Sequence, residues 1–216
     1  MKPYAQLQKK GYAFIESYYH KDNSLSVAKA FGVPIEPFEG RLVQKLAPRE
    51  NSTPNTYSGI YGLDCFPYHT DLAHRPTPPR YLMLRCIIGY SDVPTHLVDG
   101  LSLIEAVTSD LMSRAIFRPR RPQNGYLHLL PLYERSGEDA RLRWDEVFLK
   151  PASRIGEIAN LEVRKWLAAS DPTQITLENG GDTLLIDNWR MLHGRASIPV
   201  GREDRRIERV YLERLH

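Results

Sequence analysis

Apolar positions follow two different periods along this chain. From Leu101 to Phe117, Leu103, Ile104, Val107 and Leu111 recur at helical spacing, with Asp99 or Ser102 able to cap the start. Ile155, Ile158, Ala159, Val163, Trp166 and Leu167 form a second stripe, which predicts another amphipathic helix. Two shorter helices are expected near the start, over Pro3 to Lys10 and over "NSLSVAKAF", where Asn23 or Ser24 caps and Gly32 stops the helix. Elsewhere the pattern is that of strands. "GYAFIESY", "RLVQKLAP", "GYLHLLPLYE", "ARLRWDEVFLKP", "TQITLE", "TLLIDNW" and "RRIERVYLERL" read as strands, with "NGGD" as the turn between "TQITLE" and "TLLIDNW". "RYLMLRCIIGY" is the most apolar run, bounded by Pro79 and Gly89, and reads as a central strand. "NSTPNTYSGIYGLD" is rich in turn formers and reads as a loop near a site. Strands and helices do not alternate regularly, which disfavours a doubly wound parallel sheet. The expected class is mainly β with flanking helices, a β-sandwich or jelly roll.

Composition narrows the setting. At 216 residues, with 42% hydrophobic and 25% charged positions, the chain suits one substantial core. It contains no repeat, low-complexity tract or linker, so residues 1–216 read as a single domain. No apolar run nears the roughly 20 residues that span a bilayer, and no secretory signal is evident, so no membrane partner and a cytoplasmic location are expected. Cys65 and Cys86 lack both disulfide-framework and zinc spacing and read as free thiols. A net charge of +3 disfavours nucleic acid as a partner, and "RPRRP" at Arg118 reads as a solvated turn. The mild excess suits small anionic ligands. Oligomeric state is not legible.

The candidate chemistry lies in "FPYHTDLAH". A carboxylate beside apolar residues requires a compensating cation or donors, and His69 and Asp71, two apart, share a face if that stretch is extended. A metal ion is the sharpest candidate partner. Two histidines and one carboxylate make the facial triad of non-haem Fe(II) oxygenases, and His193 in "LLIDNWRMLHGRAS" is the best third ligand. It follows an apolar strand and precedes a glycine that permits close approach. An Arg at the start of the last strand would hold a dicarboxylate co-substrate. Arg205, 12 residues after His193, and Arg209, four further on, supply this position.

"HTD", "DNWRMLHGR" and the Arg-x-x-x-Arg of "RRIER" together resemble the taurine dioxygenase and clavaminate synthase-like superfamily of Fe(II)- and 2-oxoglutarate-dependent oxygenases. The resemblance runs from about "VQKLAPRE" to the last strand. It implies a double-stranded β-helix, that is, a jelly roll, with Fe(II) held by His69, Asp71 and His193. It also implies that Thr95, 26 residues beyond His69, and Arg205 bind the distal carboxylate of 2-oxoglutarate, with O2 as the other co-substrate. Arg209 matches a second arginine that lies near co-substrate or substrate in some relatives. The implied reaction is hydroxylation of an unactivated C–H bond, with release of succinate and CO2. The expected substrate is a small, amino-acid-like molecule. The chain is short for the superfamily, so a carrier-bound or macromolecular substrate stays open.

Other residues carry weaker expectations. Arg85, in an otherwise apolar strand, needs a partner and reads as a substrate or co-substrate contact; Arg195 and Arg209 could likewise pair with a substrate carboxylate. Asn55 and Ser58 are candidate polar contacts in the loop before the metal strand. His74 and His96 read as structural, since His69-x4-His74 fits no metal spacing on one helix face and Pro76 opposes a helix. Two rival readings are a non-enzymatic jelly-roll binding module and a zinc hydrolase or isomerase, which would leave Thr95 and Arg205 without a purpose.

Overall fold

The computed structural model describes residues 3–37, 40–49, 53–137 and 139–216. The chain opens with α1 (Pro3–Lys10), β1 (Tyr12–Ile15), α2 (Ser24–Phe31), β2 (Gly32–Ile35) and β3 (Gln44–Leu46). It continues through α3 (Tyr57–Tyr61), β4 (Phe66–His69), β5 (Tyr81–Ile88), β6 (Thr95–Asp99), α4 (Gly100–Val107) and α5 (Ser109–Arg114). Next come β7 (Ile116–Pro119), β8 (Leu130–Pro131), β9 (Tyr133–Ser136), β10 (Asp139–Leu142), β11 (Leu149–Pro151) and α6 (Arg154–Ala168). It ends with β12 (Thr173–Ile175), β13 (Thr183–Asp187), β14 (Met191–Arg195) and β15 (Arg206–Leu215).

Two antiparallel sheets position the site. The larger runs β1-β13-β5-β15-β2, with β3 also paired to β15, and the smaller runs β12-β6-β14-β4. The apolar run at Tyr81 is central, flanked by β13 and β15. Strand alternation sorts the side chains into layers. Leu82, Leu84, Cys86, Leu184, Ile186, Ile207 and Tyr211 of the larger sheet meet Leu97 and Met191 of the smaller one in one cluster. Met83, Leu185, Val210 and Leu212 point the other way, onto α1 and α2. Val98 and Leu192 leave the smaller sheet for a third cluster built with α4, α5 and α6. Among the described residues no helix is long and apolar enough to cross a membrane.

The helix predictions hold with one amendment. Asn23 caps α2 and Asp99 caps α4. Gly32 follows α2 in extended backbone, and a Cβ there would lie 2.1 Å from the Arg214 carbonyl oxygen, so close approach is what requires glycine. The helix expected over Leu101 to Phe117 breaks at Thr108, whose φ of 77° lies outside the helical region and whose hydroxyl caps α5. "ARLRWDEVFLKP" divides into β10 and β11 because Asp145 Oδ1 accepts from the amides of Val147 and Phe148 and closes a turn. "GYLHLLPLYE" is not one strand either. Tyr126 and Leu129 are exposed, and only the segment from Leu130 finds sheet partners.

Candidate metal centre and its anion pocket

His69 is the last residue of β4, and His193 is central in β14; the two strands pair with these residues in direct register. Their rings are 4.5 Å apart between centroids. Gly194 makes the pairing possible, because a Cβ at that position would lie 2.6 Å from the Phe66 carbonyl oxygen. The expected close approach at this glycine is therefore present.

Asp71 reaches the histidines by a different route from the one expected. The strand ends at His69, and Asp71 lies in the turn beyond it, before Leu72 at a φ of 57°. Thr70 anchors the turn by exchanging hydrogen bonds with the backbone of Trp144. Asn188, wholly buried, accepts from the Asp71 amide at 2.7 Å and donates to the Asp71 and Pro79 carbonyls. Asn188 braces the Asp71 turn and is a residue that sequence reading passes over, although it lies in the quoted "DNWRMLHGR". An asparagine between two apolar strands was the available signal, since a buried amide must find partners.

The triad converges closely. Asp71 Oδ1 lies 3.6 Å from His69 Nε2 and 3.8 Å from His193 Nε2, and one ligand atom from each residue falls within a 4.8 Å group. His69 Nδ1 is 2.9 Å from the Pro67 carbonyl, which can only accept, so Nδ1 carries a proton and Nε2 is the atom turned toward Asp71 and available to a metal ion. Burial alone would raise the Asp71 carboxyl, but Arg209 and the two imidazoles outweigh it and hold it well below the carboxylate range. This donor set of two imidazoles and one ionised carboxylate suits a ferrous ion and leaves positions open on it.

A second group lies on the same inner face. In β14 and β6, Arg195 pairs with Thr95 and His193 with Leu97, so alternation puts Thr95 and Arg195 on the side of the metal ligands. Burial, then the charge of Arg205, pushes the Arg195 guanidinium down to about 10, which marks two cations sharing one neighbourhood. Arg195 stacks on Phe66 at 4.1 Å and donates to the carbonyls of Gly62 and Asp64, yet its Nη1 is buried without a partner. Arg205 is 6% exposed, its Nε is also unpartnered, and no carboxylate pairs with it among the described residues. Buried guanidinium donors left open beside a threonine fit a carboxylate from outside the chain.

The remaining candidates are placed elsewhere. Arg209 faces the metal ligands and forms an ion pair with Asp71. Arg85 does not look into the space between the sheets. It shares the outer face of β5 with Met83, and its Nη atoms donate to the carbonyls of Tyr18, Tyr19, Asp22 and Gly181 and to the Thr183 hydroxyl. It ties the segment after β1 to the β13 hairpin, so the expected substrate contact is corrected to a structural one. Arg85→Met should destabilise the chain by about 3 kcal/mol or more, since it strands several buried acceptors. Urea unfolding measures this. Asn55 is exposed and takes part through its carbonyl, which accepts from Arg120; Ser58 is half-buried on α3. Tyr57, between them, is the residue that reaches the site, with its ring 4.4 Å from that of His69.

Asp145 is a further residue that sequence reading passes over. It is 3% exposed, burial raises its carboxyl, and the facing charge of His69 opposes that rise. It also pushes the Tyr57 hydroxyl up, together with burial. A buried acid inside "RWDEV" was a readable signal, though its turn-capping contacts give the same signal a purely local reading.

No protein-family model matches this sequence, and no curated protein matches it. Solved structures do. An asparagine oxygenase superposes over 96% of this chain and 76% of its own, with a TM-score of 0.71 and 18% identity. The non-heme iron oxygenase OrfP, in complex with Fe and alpha-ketoglutaric acid, superposes over 96% of this chain and 77% of its own, at a TM-score of 0.69 and 19% identity. A further OrfP complex, holding (3S)-hydroxy-L-Arg, reaches 25% identity over 81% of this chain and 57% of that one, at a TM-score of 0.62. The chain shares the fold of these non-heme iron oxygenases.

Proposed function

We propose that this chain is an Fe(II)- and 2-oxoglutarate-dependent oxygenase that hydroxylates an unactivated C–H bond of a small, amino-acid-like metabolite, and that its facing sheets form one double-stranded β-helix domain. The observation that carries the reading is a His–Asp–His triad on the same inner face as Thr95 and Arg195, with Arg205 in the neighbourhood of Arg195 and an unpartnered donor on each arginine. His69, Asp71 and His193 would hold the ion. Arg205, with Thr95 and Arg195, would hold the distal carboxylate of 2-oxoglutarate. Ferrous iron, 2-oxoglutarate and O2 together supply the oxidising power, and succinate and CO2 are released. The chain's own task is to orient substrate and exclude water, and the burial of all three ligands serves both.

Two observations support an amino-acid substrate. Structures with this fold hold (2S,3S)-3-hydroxyasparagine with succinate and (3S)-hydroxy-L-Arg. In this chain Asp145, in the electrostatic neighbourhood of His69, supplies a buried carboxylate whose Oδ1 caps the Val147 turn and whose charge would receive a substrate ammonium group. Asp145→Asn keeps an oxygen to cap the turn but removes the charge, so KM for an amine-bearing substrate should rise about 10- to 100-fold with the 2-oxoglutarate requirement unchanged. The reading itself is tested by succinate formation with Fe(II) and ascorbate across a panel of amino acids and small acids, followed by a mass gain of one oxygen. Stimulation by carrier-bound substrates alone would overturn the free-metabolite part, and no succinate under any condition would favour a binding module.

A further inference from the structure

The two oxygens of Asp71 are not equivalent. Both histidine Nε2 atoms approach Oδ1, at 3.6 and 3.8 Å. Arg209 Nη1 lies 3.0 Å from Oδ1 and 2.8 Å from Oδ2. A donor nearly equidistant from both oxygens of a carboxylate occupies the wedge between them. That wedge is where a cation chelated by both oxygens would have to sit.

Arg209 is itself braced. Its Nε and Nη2 donate to Gln44 Oε1 at 3.2 and 2.7 Å. The brace belongs to the sheet, because β3 pairs with β15 with Gln44 opposite Arg209. All three kinds of guanidinium nitrogen are therefore engaged, two on Gln44 and one on Asp71. Arg209 also stacks over the Tyr211 ring at 4.9 Å, which removes another way for it to move. A free co-substrate anchor would have donors to spare, as Arg205 does.

We propose that Gln44 and Arg209 are positioning residues that keep Asp71 a one-oxygen ligand. With the wedge filled by Nη1, only Oδ1 faces the histidines. Two imidazoles and one oxygen would then hold a ferrous ion through three donors and leave it room for a bidentate keto acid and O2. A chelating Asp71 would consume part of that room and compete with the keto acid. This assignment rests on the iron site proposed above and gives Arg209 a role toward the carboxylate ligand instead of toward the co-substrate.

The test uses the whole chain loaded anaerobically with Fe(II), and reads the visible charge-transfer band that appears when 2-oxoglutarate chelates the ion. Nitric oxide, neutral and needing one position, serves as the control probe by electron paramagnetic resonance. In Arg209→Met the 2-oxoglutarate Kd should rise about 10- to 100-fold while nitric oxide binds as in the wild type. Gln44→Leu leaves the Arg209 charge in place, and should still weaken chelation about threefold or more, because the guanidinium loses its brace. An unchanged band and affinity in Gln44→Leu would overturn the positioning role, as would full rescue by Arg209→Lys, which restores charge without the fork. Should the wild-type chain bind Fe(II) but show no band with 2-oxoglutarate, or bind no Fe(II), the iron reading itself fails, an outcome distinct from either.

Discussion

His193→Ala should abolish iron-dependent succinate formation and leave a stably folded chain, whereas Asp71→Ala should abolish it and also weaken the fold. The difference follows from what each side chain leaves behind. His193 Nδ1 has no hydrogen-bond partner among the described residues, so truncating the ring orphans nothing there. Asp71 is the carboxylate partner of Arg209, which is 19% exposed, and removing it leaves a largely buried cation with no anion, only Gln44 and the Tyr211 ring. Breaking a buried pair from one side costs about 3–5 kcal/mol, and the partial exposure and the remaining Gln44 contact reduce that here to about 2–3 kcal/mol. Urea unfolding followed by tryptophan fluorescence measures the second effect and the succinate assay the first. Undiminished succinate formation by Asp71→Ala would sink the metal assignment.

The second large effect is on the co-substrate. Arg205→Ala should raise the 2-oxoglutarate requirement about 10- to 150-fold, the equivalent of a charge-assisted carboxylate contact worth about 1.5–3 kcal/mol. Fe(II) affinity should stay near that of the parent, because Arg205 makes no contact with the triad among the hydrogen bonds of the described residues. Stability should change by less than about 1 kcal/mol, since no carboxylate of the chain depends on this arginine and the lost packing is offset by removal of a buried unpaired charge. Isothermal titration with 2-oxoglutarate on the Fe(II)-loaded chain separates these quantities. An affinity within twofold of the parent would place the co-substrate elsewhere.

Where strand and helix periods are strong, the fold was legible. The stripe at Ile155 to Leu167 became α6, and the run at Tyr81 became the central β5, because burial of one face rewards a periodic pattern wherever it occurs. Short pieces escaped notice. β2, β4, β6 and β7 are four or five residues each, and their stability comes from neighbours distant in sequence. β6, for instance, pairs with β12 and β14, both more than 75 residues further along. Conversely, Tyr126, Leu127 and Leu129 are apolar enough for a strand but remain on the surface. Local composition states a preference, and only available partners satisfy it.

The same division runs through the candidate site. Residue types and spacing were enough to name His69, Asp71 and His193 and to single out Arg205, because metal and carboxylate chemistry admits few side chains. Arg85 shows the limit: an arginine in an apolar strand must have a partner, but whether its face meets the inter-sheet space or the helices depends on which sheet covers which side. Pleating puts Arg85 with Met83 against the N-terminal layer, where backbone carbonyls receive it. Asp71 and Asn188 stand 117 positions apart, and Gln44 and Arg209 stand 165 apart. No local pattern couples such pairs: Gln44 meets Arg209 only when β3 registers on β15, and Asp71 meets Asn188 only when the turns after β4 and β13 pack together. The sequence alone therefore named candidate donors by their chemistry. Tertiary packing decided which oxygen of Asp71 faces the histidines, which arginines keep free N–H groups, and which are already spent on the chain's own acceptors.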